Sequence, residues 1–151
     1  MRARITLAVI LCTIFTLFGV AGHAAEWVLY DESPMGKHYY DKKSVKSVSP
    51  SLFDVATRVV FSEEGKKQAV NERTKRELTT EGYANLVDNQ ASWSFDCTAK
   101  KWALNSGADY DKDRKALTSY TIDKNIQAWQ LFDNTGGFVK LFTIVCPKGK
   151  K

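Results

Sequence analysis

The chain has 151 residues, a length that suits one domain. Its 22 Lys and Arg stand against 17 Asp and Glu, a formal charge of +5 that falls to about +3 once Arg2 and Arg4 are set aside. So mild a balance disfavours very basic partners and gives no sign of nucleic acid.

The N-terminus reads as an export signal. Arg2 and Arg4 form a positive n-region, and Ile5 to Val20 is apolar apart from Cys12, Thr13, Thr16 and Gly19. That run suits a signal h-region and is short for a membrane span, a retained anchor being the alternative. Gly22 and Ala24 are the small residues that signal peptidase needs, so cleavage is expected after Ala24, with a shift of a residue or two open. Cys12 follows Leu11 inside the apolar run, which does not suit lipidation. Residues 1–24 are thus expected to be a signal peptide and 25–151 a single β-rich domain, periplasmic or secreted, with no transmembrane span after cleavage. Setting Cys12 aside leaves Cys97 and Cys146. In an oxidising compartment such a pair reads as a disulfide. Closing a loop of about 49 positions stabilises the fold by about 4 kcal/mol on a chain-entropy estimate.

Glu26 to Tyr30 reads as a first strand, ended by Asp31-Glu32-Ser33-Pro34-Met35-Gly36, and His38 to Asp41 as a second. Leu52 to Phe61 is the clearest strand. Phe53, Val55, Thr57, Val59 and Phe61 point one way, while Asp54, Arg58 and Ser62 point the other. Ser62 to Lys66 reads as a hairpin turn with Gly65 supplying positive φ, and Lys67 to Asn71 as a returning strand. Arg73 to Leu86 is polar and reads as loop with a helical turn. Trp93, Phe95 and Cys97 alternate onto one face of the next strand. Thr98 to Lys100 turns the chain, Lys101 to Asn105 pairs back with Trp102 and Leu104 inward, and Lys115 to Ile122 is a further strand.

The period then changes. Phe138, Leu141, Phe142 and Val145 fall at i, i+3, i+4 and i+7, one face of a helix. Asn134 and Thr135 are candidate caps, and Pro147 stops the helix. Cys146 borders that face, so the disulfide would pin the helix to the core side of the sheet. The predicted fold class is α+β: a twisted antiparallel sheet of about six strands with a C-terminal helix packed on one face.

These residues resemble the surface-adhesin protein E family. The matching features are Trp27, Tyr40-Asp41, the Phe53–Phe61 strand, Phe95-Asp96-Cys97 with the basic hairpin and Trp102 after it, then Trp129 and a short C-terminal helix ending in Cys146. The resemblance implies a twisted antiparallel sheet with the helix held on its concave side by the disulfide. It also implies adhesion to host extracellular proteins from a lipid-anchored position; no lipidated cysteine opens the mature chain expected here, so periplasmic residence is at least as well supported as surface display, and host binding is not carried over.

Little suggests catalysis. His38, between Lys37 and Tyr39, is the one histidine after the cleavage site, and no nucleophile–base pair is visible. Asp109, Asp111 and Asp113 open like a calcium loop, but Arg114 replaces the needed Gly and Tyr120 the bidentate Glu, so a charged turn neutralised by Lys112, Arg114 and Lys115 is expected. Basic groups at Lys66-Lys67, Arg73-Lys75-Arg76, Lys100-Lys101 and Lys148-Lys150-Lys151 read as turn-flanking rims that could grip anionic polymers. The expected function is a non-catalytic envelope binding protein, the alternative being an inhibitor or accessory factor of an envelope enzyme. No cofactor or metal is expected. The partner would be a protein or envelope polymer, met by Tyr39, Tyr110, Lys100 and Lys101, with a homodimer left open.

Overall fold

The computed structural model describes residues 24–132 and 137–146. Most of the expected signal, the caps Asn134 and Thr135, Pro147 and the terminal lysines lie outside them. The described strands are β1 (Trp27–Ser33), β2 (Gly36–Asp41), β3 (Lys46–Ser47), β4 (Leu52–Phe61), β5 (Leu86–Asp96), β6 (Lys101–Asp111), β7 (Ala116–Thr121) and β8 (Gln130–Leu131). They form one antiparallel sheet in the order β1-β2-β4-β5-β6-β7, with two-residue β3 beside β4 and β8 beside β6. Helix α1 (Glu63–Lys75) follows β4, and α2 (Gly137–Val145) follows β8. The α+β class and the C-terminal helix are as the sequence predicts.

Strand alternation decides where the core sits. Phe53, Val55 and Thr57 of β4 pair directly with Phe95, Trp93 and Ala91 of β5, so these side chains share a face. The apolar stripe of α2 lies on it. Phe95 and Leu141 are wholly buried, Val55 and Val145 nearly so, and Phe138 and Phe142 pack on the same cluster with Tyr30, Tyr40 and Trp102. The Phe138 ring meets Trp93 edge-on at 4.8 Å and stacks on Trp102 at 5.0 Å, centre to centre. Cys97, just past β5, and Cys146, just past α2, are bonded with their Cα atoms 5.5 Å apart. Lys140, off the stripe, pairs with Asp31 of β1 and fixes the helix to that edge.

The segment after β4 differs from expectation. Ser62–Lys66 is not a hairpin turn, and Lys67–Asn71 does not return as a strand; both belong to α1. Ser62 is the N-cap, its hydroxyl accepting from Gly65 N at 2.9 Å, and Glu63 and Glu64 sit in the first turn, where the helix dipole favours acids. Gly65 does not serve a positive φ. A Cβ there would fall 2.0 Å from the Met35 carbonyl, so the glycine lets the helix start lie directly on the β1–β2 turn. The basic groups 66–67 and 73–76 consequently lie on or at the end of a helix, with Lys66 paired to Glu63 and Lys75 to Glu72.

Four strands, β1, β2, β5 and β6, run longer than the sequence shows. β1 continues through Asp31-Glu32-Ser33, leaving only Pro34-Met35 as the turn. β5 begins at Leu86 and β6 runs to Asp111. The polar run Asp88-Asn89-Gln90 masks the first of these. A bulge at Asn105, opposite the Ser92/Trp93 step, breaks the alternation of the second.

Candidate functional site

Both helices contact the Phe95 face of the sheet, and among the described residues no helix crosses the other. Register fixes what that open face carries. Tyr39 pairs with Arg58, Arg58 with Gln90, Gln90 with Ala108, and Asp88 with Tyr110. Paired residues point the same way, so these side chains form a band across four strands. Beside the band the side chains are small. Ala56, Ser92, Ser106, Ser119 and Thr121, with Trp27 at one side, line a shallow groove of about 340 Å³.

Asp88 anchors the band. It is 0% exposed, and its Oδ2 accepts from Arg58 Nη2 at 2.7 Å and from Arg114 Nη1 at 2.6 Å. Its Oδ1 and the Arg58 Nε, both buried, have no partner among the described residues. A carboxylate this deeply buried is tolerable because two guanidiniums hold it. Two cations against one anion leave a net positive charge, fixed rather than swinging on a long side chain. Arg114, in the left-handed region at φ 63°, stacks over Tyr110 with its guanidinium carbon 4.6 Å from the ring centre. The arginine expected to neutralise the 109–113 acids thus serves Asp88. Asp111 caps its own turn by accepting from Asp113 N and Lys115 N, each at 2.9 Å.

Of the predicted contacts, the structure brings Tyr39 and Tyr110 onto one face, both half-buried. Lys100 and Lys101 stand apart, at the β5–β6 turn, nearly the whole 11-residue length of β6 from Tyr110. The sequence reading missed Asp88, Arg58, Arg114 and Trp27 as site residues.

His38 has a partner that the sequence reading also missed. Ser33 Oγ lies 2.9 Å from His38 Nε2 across the β1–β2 hairpin. The surroundings make this a turn clamp. Ser33 Oγ also accepts from Met35 N, Ser62 N donates to Met35 O, and the Ser62 hydroxyl donates to Pro34 O. Asp31, the nearby carboxylate, is engaged by Lys140, and that hydrogen bond holds it below the usual carboxylate range. Burial lowers the His38 pKa, opposed in part by Asp31. Val59, the cross-strand partner of His38, lies on the helix-bearing face, so the pair is remote from the open one.

The open face therefore offers aromatic rings, hydroxyls and a fixed cation.

Among solved structures the chain is similar to Haemophilus influenzae protein E. The match, to its crystal form II, has a TM-score of 0.49 at 8% identity and covers 80% of this chain and 86% of that one. No family model and no curated protein sequence matches.

Proposed function

We infer that this chain is an exported, non-catalytic binding protein of the cell envelope, of the surface-adhesin protein E type that its sequence resembles. It holds a protein or an envelope polymer against the open face of its sheet. The observation that carries this reading is the Asp88 cluster: a buried carboxylate locks two arginines beside Tyr110 on a sheet face that no described helix covers. Tyrosine and arginine held rigidly are the side chains that anchor protein interfaces, because little conformational entropy is lost when they are covered. Export is supported by the N-terminal pattern and by a disulfide suited to an oxidising compartment. Among the described residues, no helix is long and apolar enough to cross a membrane. The Ser33–Gly36 hairpin tip, which a plugging inhibitor would need to project, is tied back to Ser62 instead.

The test is capture of partners from the native envelope by purified mature protein, followed by affinity measurement with the captured partner. Tyr110→Ala and Tyr39→Ala should each weaken binding by about tenfold, roughly 1.4 kcal/mol, at unchanged melting temperature. His38→Ala should bind as the parent does. Parent-like affinity in both tyrosine variants would refute the assignment of this face.

A further inference from the structure

A second cavity lies on the opposite side of the sheet. It is a cleft of about 600 Å³ between α1 and the strands β5, β6 and β7. It exists because α1 is held at its two ends and hardly at all between them. At the start, Gly65 rests on Met35. At the end, the Arg73 guanidinium stacks on the Tyr83 ring at 4.3 Å, and its Nε donates to Thr79 O at 2.8 Å. Between them, the helix lines the cleft with Ala69 and Glu72.

The walls of the cleft are of two kinds. Leu104, Ile122 and Tyr120 make an apolar floor, and Leu78 closes one end. A Cβ at Gly107 would fall 2.5 Å from the Tyr120 hydroxyl, so this glycine lets the Tyr120 ring lie along β6 as part of that floor. The charged groups are mostly engaged. Asp109 accepts from Tyr83 Oη at 2.6 Å and from Asn89 Nδ2 at 2.8 Å, and Glu72 pairs with Lys75 at 2.9 Å. Arg73 is spent on Tyr83 and Thr79. Arg76 also lines the cleft and pairs with none of the described carboxylates. A half-open cleft of this size, with an apolar floor, polar walls and one uncommitted cation at its edge, has the character of a small-molecule site.

We propose that the cleft between α1 and the sheet binds a small amphipathic carboxylate, its apolar body on Leu104, Tyr120 and Ile122 and its head on the Arg76 guanidinium. The planar fork of an arginine matches a carboxylate through two parallel hydrogen bonds, and the apolar floor supplies the remaining affinity by burial. This site is separate from the open face and does not depend on the partner bound there.

Dodecanoate, kept below its micellar concentration, is a suitable probe, with dodecanol as the uncharged control. Calorimetric titration of the mature protein should show saturable binding of one dodecanoate per chain, and about tenfold weaker binding of dodecanol. Arg76→Ala, at an exposed position, should weaken dodecanoate by about tenfold at unchanged melting temperature. Ala69→Trp should fill the cleft and abolish binding, with circular dichroism reporting whether α1 is retained. Leu104→Gln, which keeps the volume but removes the apolar floor, should also weaken binding. Tyr110→Ala should leave it intact. The proposal is overturned by the absence of saturable binding, by equal affinity for dodecanol, by parent-like binding in Arg76→Ala or in a folded Ala69→Trp, or by loss of binding in Tyr110→Ala.

Discussion

The two described helices, α1 and α2, are held on the same face of the same sheet by opposite means. Helix α2 is apolar along a full stripe, and two of its residues, Leu141 and Val145, are buried to within a few per cent. A disulfide and the Lys140–Asp31 pair add to that packing. Helix α1 is longer, and its one buried residue is a glycine. It is held by a cap, a backbone contact and an arginine–tyrosine stack. The contrast teaches that a helix can be placed by a few specific contacts when good intrinsic formers such as Glu, Lys, Gln, Ala and Arg fill it. It also teaches what such placement leaves behind: the α2 side is filled with rings, while the α1 side keeps a cleft.

The sharpest way to break the α2 half is to put a charge in its stripe. Phe142→Asp would bury a carboxylate with no partner among the rings of Phe95 and Phe132. The cost is several kcal/mol, comparable with the stability of a small domain, so a collapse of the thermal transition is expected. Lys140→Ala should lower the melting temperature far less than Phe142→Asp does, since Lys140 is 61% exposed and water can screen its side of the pair. Similar melting temperatures for the two variants would mean that α2 is not packed as described. Next in size is the disulfide. Cys97→Ser with Cys146→Ser should cost up to about 4 kcal/mol in urea unfolding. Amide hydrogen exchange should then show α2 opening before α1.

The α1 half should fail to a much smaller insult. Gly65→Ala adds one methyl group, but it must displace the Met35 backbone, a change of about 1–3 kcal/mol for forced overpacking. Faster exchange confined to α1 and the β1–β2 turn is the expected signature. Parent-like exchange there would show that this contact does not hold the helix.

How legible each half was in the sequence follows from the same physics. The stripe at 138, 141, 142 and 145 announces α2, and the strict alternation of Phe53, Val55 and Thr57 announces β4, because both are apolar periodicities set by burial. Helix α1 has no such stripe to read. Its remaining signals were the Ser62 cap, the acids at 63 and 64 and the basic end, and Gly65 drew attention to a turn instead. The open face was half legible. Tyr39 and Tyr110 stand out as aromatics in strands. Arg58 and Arg114, however, lie 30 and 26 positions from Asp88, and only the strand register and a left-handed turn residue bring them together.

The smallest expected effect is one of pH and concerns the α2–β1 link. Asp31 is held below its ordinary value of 3.8, first by the hydrogen bond from Lys140. A carboxylate depressed in the folded state contributes its stability in full above the unfolded value and loses it as the pH falls through the lower, folded one. Acid titration of the melting temperature should therefore show a loss beginning near pH 4, and Asp31→Asn should flatten that limb by a small amount. An unchanged acid limb in Asp31→Asn would remove the pair from the forces holding α2.

The most direct test of the binding face is site-specific photocrosslinking in the native envelope. A photoreactive phenylalanine analogue at Tyr110 is compared with the same group at Ile144, which is 43% exposed on the outer side of α2. A discrete macromolecular adduct from position 110, with none from position 144, is the expected result. Adducts from 144 alone, or from neither position, would contradict a partner held on the open face of the sheet.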